Sequence, residues 1–174
     1  MFSIKRILMG LIALFAVIQL IPVHRTNPPE PDPIRFTNAQ AEALAKRACY
    51  ACHANTNEWD WYSYIAPVSW IYVDHVMEGR QELNFSDIAA SIANSNEDGK
   101  GVVRRARAEE ETEGDAATGT QGSAAELIDE VAESMQDGEM PPAYFYLTHY
   151  ADATLTSEEQ AILIQGIRDA LAGR

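Results

Sequence analysis

The chain has 174 residues, which is enough for one modest domain with extensions. Its 26 acidic residues outnumber its 13 basic residues, so the formal net charge is −13 at pH 7. Such an acidic surface repels the phosphate backbone, which excludes nucleic acid as a partner.

The first 25 residues are typical of a membrane segment. Lys5 and Arg6 precede an apolar run from Ile7 to Val23. As one helix this run would be about 25 Å long, just enough to cross a hydrocarbon core. It lacks the small-residue site of a cleaved signal peptide, so we favour a single transmembrane anchor, with a signal peptide as the alternative. The two basic residues would keep the N-terminus inside, and the rest of the chain would be periplasmic.

Residues 26–35 are rich in proline, with Pro28, Pro29, Pro31 and Pro33 close together. Such a segment favours an extended, semi-rigid conformation. We therefore expect a stalk between the membrane and a domain formed by residues 36–174. The alternative is an ordered wrap over the surface of that domain.

A helix is predicted from the capping pattern Thr37-Asn38-Ala39-Gln40 to Ala48. It leads into Cys49-Tyr50-Ala51-Cys52-His53, which contains both cysteines of the chain. In a C-x-x-C-H pattern each thiol can form a thioether with a haem vinyl group, and the histidine is placed to ligate the iron. The pattern predicts one covalently attached haem c, with iron ligated by His53.

Two other chemistries use similar cysteines. A dithiol redox pair would need a thioredoxin-like βαβ pattern, which the sequence around Cys49 does not show. A structural zinc site would need further ligands, but the remaining histidines are isolated, at His24, His75 and His149. Haem remains the favoured interpretation.

Residues 59–70 contain three tryptophans and two tyrosines. Aromatic rings can wall a porphyrin, although they are equally typical of an ordinary core. A helix should then run from Pro67 to Glu78 and stop near Gly79. Ser86 and Asp87 are expected to cap a short helix over Ile88–Ala93.

The segment at about 95–123 is rich in glycine and charge, with few large apolar residues. It predicts a flexible insertion. Beyond it, capping boxes at Ser123–Glu126 and Thr156–Glu159 begin two more helices, the first of which ends at Gly138. No segment shows a convincing strand pattern. The predicted fold class is all-α, a small cytochrome c-like helical domain around one haem.

A six-coordinate iron needs a second axial ligand. Met140 lies in Gly138-Glu139-Met140-Pro141-Pro142, where two prolines stiffen the loop and would hold the thioether in place. His75 is the alternative ligand, and weaker candidates are Met77, His149 and Met135. Methionine would raise the reduction potential, whereas a second histidine would lower it.

The string from Cys49 to Ser86, followed by the Gly138–Pro142 loop, resembles the bacterial haem-binding domain family related to c-type cytochromes. The resemblance covers Phe36 to about Leu171. It implies that Cys49, Cys52 and His53 bind haem, and it supports Met140 as a ligand. The chain departs from the family pattern in its long insertion before Ser123 and in Ile88, where an aromatic is common.

The resemblance also covers residues 75–80, in which pairing of Arg80 with a haem propionate is one option. Pro67 resembles the proline beside the proximal histidine of cytochromes c, where a nearby carbonyl accepts the Nδ1 proton of the histidine. Initiation of a helix is the other role considered for Pro67.

The function expected from these features is that of a single-haem electron carrier on the periplasmic face of the inner membrane, and not of an enzyme. Its partner would be a redox protein. The acidic charge of the chain has two interpretations, that the partner has a basic docking face or that the charge only maintains solubility. The alternatives are a haem-based sensor or ligand-binding module and a peroxidase-like enzyme, which would need an open iron and a distal acid or base.

Overall fold

The computed structural model describes residues 3–95, 123–142, 145 and 154–172. These residues form seven α-helices and one 3₁₀ turn, Trp61–Tyr64. The helices are α1 (Ile4–Ile18), α2 (Ala39–Ala48), α3 (Tyr50–His53), α4 (Val68–Glu82), α5 (Ile88–Asn94), α6 (Ala124–Gln136) and α7 (Ser157–Leu171). Over these ranges the β-type pairing is limited to an isolated bridge between Asp32 and Asp87. The all-α prediction is confirmed.

Helix α1 differs from the helix predicted over Ile7–Val23. It begins at Ile4 and ends at Ile18, and none of its residues is buried. Pro22 prevents the predicted run to Val23 from forming one regular helix, because a proline disfavours helical backbone in the residue before it. In the described part of the chain, no helix is long and apolar enough to cross a membrane. The predicted transmembrane helix is therefore not supported.

Residues 26–34, which we call the strap, lie along the domain. The Asn55 side chain donates from Nδ2 to the Pro29 carbonyl at 2.7 Å, and the Ile34 amide donates to the Phe85 carbonyl at 2.8 Å. Proline-rich backbone has few donors of its own, so these partners satisfy the polar groups that it exposes. The ordered wrap, and not a free stalk, describes this segment.

The helix caps follow local sequence closely. Capping boxes at Ser123–Glu126 and Thr156–Glu159 are present as predicted. At α2 the cap is Asn38 instead of a box that begins at Thr37. Its Oδ1 accepts from the amides of Gln40 and Ala41 at 2.9 and 3.4 Å, so one side chain satisfies two free donors of the first turn.

The main core lies where α2 and α6 pack against α7. Gly166 makes the first of these contacts close, because a Cβ atom there would stand 2.2 Å from the Cβ of Ala41. An ion pair of 2.9 Å between Arg47 and Glu159 joins α2 to the first turn of α7. Helix α2 is thereby fixed just before the cysteine motif.

The predicted insertion at 95–123 has described residues only at its ends. The Ser95 hydroxyl donates to the Ser123 carbonyl at 3.1 Å, and Ser95 is buried. The chain therefore leaves and re-enters the domain at one place. Residues 96–122 lie outside the described part of the structure.

Candidate haem site

The cysteine motif forms one tight turn that is held on the core. The amides of Cys52 and His53 both donate to the Cys49 carbonyl, at 3.1 and 2.9 Å. The Tyr50 ring stacks on Phe85 with centroids 5.1 Å apart, and the Phe85 amide donates to the His53 carbonyl at 2.7 Å. Both thiols and the imidazole are thus presented from one rigid segment.

The imidazole of His53 is oriented by the C-terminal half of α4. Its Nδ1 lies 2.9 Å from the carbonyl oxygen of Gly79 and 2.9 Å from that of Leu83. Since carbonyls only accept, Nδ1 carries the proton and Nε2 keeps its lone pair. Burial lowers the pKa of His53, although the two backbone hydrogen bonds partly oppose this effect. The side chain is a neutral imidazole with Nε2 ready to bind a metal.

Gly79 corrects a sequence prediction. It was expected to end its helix, but α4 continues to Glu82 and Gly79 is buried inside it. A Cβ atom at this position would lie 3.3 Å from Cε1 of His53 and 3.4 Å from the Cys52 carbonyl oxygen. Glycine therefore permits the close approach of α4 to the motif. The sequence feature that indicates this role is a glycine inside a helical pattern.

Pro67 takes the simpler of its two proposed roles. It is the N-cap residue of α4, where a fixed φ suits the start of a helix. The acceptors for the His53 Nδ1 proton are instead Gly79 and Leu83, which are distant from the motif in sequence.

A cleft of about 610 Å³ opens beside the motif, within the range of cofactor sites. Its lining includes five side chains that were singled out from sequence, namely Cys49, Cys52, His53, His75 and Met140. Residues of α3 and α4 form one wall. Residues of α6 and the loop after it form another, so the cleft brings distant parts of the chain together.

Met140 is carried by the loop that follows α6. Gly138 has a φ of 73°, the left-handed conformation that commonly ends helices, as predicted. The amides of Glu139 and Met140 then both donate to the Ser134 carbonyl, at 3.0 and 3.1 Å. This turn fixes the backbone of Met140 at the edge of the cleft.

His75 lines the cleft from the same wall as His53. Its Nδ1 lies 2.7 Å from the Ile71 carbonyl within α4, and it precedes Gly79 by one helical turn. Residues four apart share a helix face, so His75 is on the face of α4 that meets His53. Of the weaker candidates, Met135 is buried and also lines the cleft, whereas Met77 is exposed and does not. His149 lies outside the described residues.

The two cysteines are free thiols. Burial raises the pKa of Cys49 to about 12, with a smaller contribution from Cys52, and burial raises the pKa of Cys52 to about 11. Reactive redox cysteines are thiolates, which a lowered pKa favours. Over the described residues, no group of three or more histidine, cysteine or acidic side chains is arranged to hold a metal ion. The geometry does not favour the dithiol or zinc interpretations.

The aromatic segment does not wall the cleft. Tyr62, Tyr72 and Val76 instead form a second buried cluster, against which Trp59 and Cys52 pack. The 3₁₀ turn and the first half of α4 thus lie behind the motif. The aromatic rings that do line the cleft, within the described residues, are Phe85 and Phe145.

Arg80 is also directed away from the cleft. It donates from Nε to the Ala54 carbonyl at 2.9 Å, and its other nitrogens reach Thr26 and Asn27 of the strap at 2.7 and 3.0 Å. Its guanidinium lies 5.7 Å from the ring centroid of Trp59. The suggested pairing with a propionate is therefore not supported. Arg80 ties the strap to the residue that follows His53.

Comparison with known protein families identifies the family of this chain. Residues 13–116, more than half of the chain, match the family described as the haem-binding domain. The chain belongs to this family. The matched part of the haem-binding domain holds the strap, the cysteine motif and α4, including Gly79 and Arg80. No curated protein and no solved structure matches the chain.

The match differs in extent from the resemblance drawn from sequence. It begins within α1 instead of at Phe36, and it ends at residue 116 instead of near Leu171. Met140 and the two helices α6 and α7 lie beyond it. The family therefore supports haem as the cofactor, while the cleft geometry alone connects Met140 to the site.

The residues present fit a haem. Two thiols on one turn, a neutral imidazole with a fixed tautomer and a thioether all line one cleft that is mostly apolar. The residues that would hold the haem are Cys49, Cys52, His53 and Met140. His75 also lines the cleft and is the alternative ligand.

Proposed function

We propose that the protein is a single-haem electron carrier, with the haem attached through Cys49 and Cys52 and with His53 and Met140 as axial ligands. A bound haem supplies an iron that cycles between the ferric and ferrous states. The observation that carries the proposal is that His53 and Met140, from different parts of the chain, line the same cleft. Two protein ligands leave no open position for a substrate, which favours electron transfer over turnover.

The contribution of the protein chain is to orient the two proposed iron ligands. The carbonyls of Gly79 and Leu83 hold the His53 ring and make its Nε2 a better donor to iron. The hydrogen bonds from Glu139 and Met140 to the Ser134 carbonyl fix the backbone that carries the Met140 thioether. Ligands that move little keep the cost of gaining or losing an electron low.

The location that we propose is the periplasmic face of the inner membrane, with attachment through the apolar N-terminal segment. Support comes from α1, in which no residue is buried and most of the large apolar side chains are exposed. From Ile7 to Ile18 the helix carries no charged residue, a composition that is typical of a protein core or a membrane. The net charge of −13 supports a redox partner protein with a basic docking face.

Carbon monoxide titration of the reduced protein tests the function. The carrier predicts no spectral shift in the wild type, since both axial positions are filled. It also predicts that Met140→Ala loses the methionine–iron charge-transfer band in the near infrared and then binds carbon monoxide. Met77→Ala is the matched control, because Met77 is exposed and does not line the cleft.

Stoichiometric binding by the wild type would instead favour the sensor or the peroxidase-like enzyme. An unchanged band in Met140→Ala would exclude Met140 as the ligand. A wild type that lacks the methionine–iron band, and that binds carbon monoxide only after the substitution His75→Ala, would assign the sixth ligand to His75.

A further inference from the structure

The large apolar side chains that the domain exposes are concentrated in one place. Outside residues 4–21, the exposed large hydrophobic residues of the described chain all fall between positions 61 and 77. Five of them form what we call the aromatic patch: Trp61, Tyr64, Ile65, Val68 and Ile71. Exposed apolar surface that is concentrated in this way is typical of a contact with a membrane or a protein.

The local structure places these side chains on one surface. Trp61 and Tyr64 are three residues apart in a 3₁₀ turn, where such positions eclipse. Val68 and Ile71 are three apart in the first turn of α4, which packs against that 3₁₀ turn. Trp61 is 72% exposed, which is unusual for the largest apolar side chain.

The segment that forms the aromatic patch contains no charged residue of its own. No acidic or basic residue occurs from Trp61 to Val73, in a chain that carries 26 acidic and 13 basic residues. The remaining acidic surface would be repelled by anionic headgroups, so this face is the one that can approach lipid at low electrostatic cost.

The aromatic patch is joined to the end of α1. The Gln19 side chain donates to the Ala66 carbonyl at 3.1 Å and accepts from the Ala66 amide at 2.9 Å, as a paired strand would. Arg25 donates to the Ser63 carbonyl at 2.9 Å, and its guanidinium lies 4.2 Å from the ring centroid of Tyr64. These contacts of Gln19 and Arg25 hold the chain at the end of α1 beside the aromatic patch.

We propose that the aromatic patch lies in the interfacial layer of the lipid bilayer, next to the point where the N-terminal segment enters it. This inference rests on the membrane attachment proposed above. It further specifies which face of the domain contacts the lipid. Tryptophan and tyrosine favour the membrane interface because their rings are apolar and their tips are polar. Docking there would hold the domain in a fixed orientation, with the patch against the lipid.

Photolabelling of the full-length, haem-loaded protein in phosphatidylcholine vesicles tests the proposal. The vesicles carry a small fraction of a diazirine lipid, and mass spectrometry locates the labelled peptides. We expect label in residues 4–18 and in 61–71, and none in α7, which serves as the internal control. The absorption spectrum confirms that each sample holds its haem.

A double variant, Trp61→Ser with Ile71→Ser, should reduce label at Tyr64, Ile65 and Val68 about tenfold, because two large apolar side chains leave the interface. Label in residues 4–18 should not change. The matched control is Met77→Ser, which removes an exposed apolar residue of α4 outside the aromatic patch. It should leave both labelled regions unchanged.

Label confined to residues 4–18 would overturn the lipid-facing patch and leave membrane attachment standing. Label in neither region would overturn both. Cross-links from residues 61–71 to a second copy of the chain would show that the patch is a protein contact, which also overturns the proposal. None of these results bears on the electron-carrier function, which the carbon monoxide titration tests separately.

Discussion

Gly79 holds the imidazole of His53 in two ways at one backbone position. Its carbonyl oxygen lies 2.9 Å from Nδ1 of His53, and its missing side chain leaves room for the ring, since a Cβ atom would stand 3.3 Å from Cε1. A residue with a side chain could supply the carbonyl but would press on the ring. The pair therefore couples the packing of α4 to the orientation of the imidazole that we propose as an iron ligand.

Gly79→Ala is expected to raise the reduction potential. Displacement of the ring lengthens the Nδ1 hydrogen bonds, which makes His53 a weaker donor and destabilises the ferric state. A tenfold change in the ferric-to-ferrous ratio corresponds to about 59 mV, and we expect a rise of that order. Redox potentiometry measures it. Gly10→Ala, with no atom within 4 Å of the added Cβ, should leave the potential unchanged.

Gly166→Ala should destabilise the whole domain. The added Cβ would lie 2.2 Å from the Cβ of Ala41, so α2 and α7 must move apart. Overpacking of this kind costs about 1–3 kcal/mol in the free energy of unfolding. Chemical denaturation followed by circular dichroism measures the loss. A stability equal to that of the wild type would contradict the close contact of these helices.

Arg80→Gln should release the strap. The substitution removes donors to Ala54, Thr26 and Asn27, each worth about 1 kcal/mol in net stability. Hydrogen exchange should accelerate in residues 26–34. Arg80→Lys should not restore protection, since one ammonium group cannot reach all three acceptors in the geometry of a guanidinium.

The control for this experiment is Arg168→Gln. Arg168 is an exposed arginine of α7 that donates to its helical neighbour Gln165 at 3.3 Å. It should leave exchange in the strap unchanged. If hydrogen exchange in the strap accelerates equally in both variants, then loss of any arginine loosens the strap. The contacts of Arg80 would then not hold it specifically.

Glu130 should make stability depend on pH. Burial, followed by the charges of Glu126 and Glu82, raises the pKa of this cleft residue above 4.5. The folded protein then holds the proton more tightly than the unfolded chain, so stability is lost as the pH rises from about 4.5 through the raised pKa. Glu130→Gln should flatten this dependence.

At pH 7 the Glu130→Gln variant should be more stable than the wild type, by less than about 1 kcal/mol, because the partly exposed carboxylate is screened. Denaturation midpoints from pH 4 to pH 8, on the order of five values, measure the slope. Asp129→Asn is the charge-matched control on the exposed side of α6. An identical slope in wild type and Glu130→Gln would contradict the expected effect.

The features that could be predicted from sequence are local. The capping boxes at Ser123 and Thr156 involve contacts three residues apart, and Gly138 ends α6 through its own φ. The C-x-x-C-H motif is likewise contained in one helical turn. Such patterns carry their physical cause within a few residues, so the sequence is enough to interpret them.

The features that could not be predicted depend on distant residues. Glycine is common at helix ends, so the sequence predicts that α4 ends at Gly79. In the structure Gly79 contacts His53 and α4 continues beyond it. The strap has the composition of a free linker, and its order comes from Asn55, Phe85 and Arg80. From sequence, residues 59–70 could equally line a cofactor site or form part of a core. In the structure Cys52 lies between the cleft and the second cluster, so the aromatic residues behind it belong to the core.

The proposed function requires that Cys49 and Cys52 attach one haem covalently. The most direct test is the intact mass of the protein under denaturing conditions, after production in a bacterium that attaches haem to exported C-x-x-C-H motifs. We predict the mass of the chain plus one haem, and the mass of the chain alone for the double variant Cys49→Ala, Cys52→Ala. An unmodified mass for the wild type, with free haem released by the denaturant, would contradict the account.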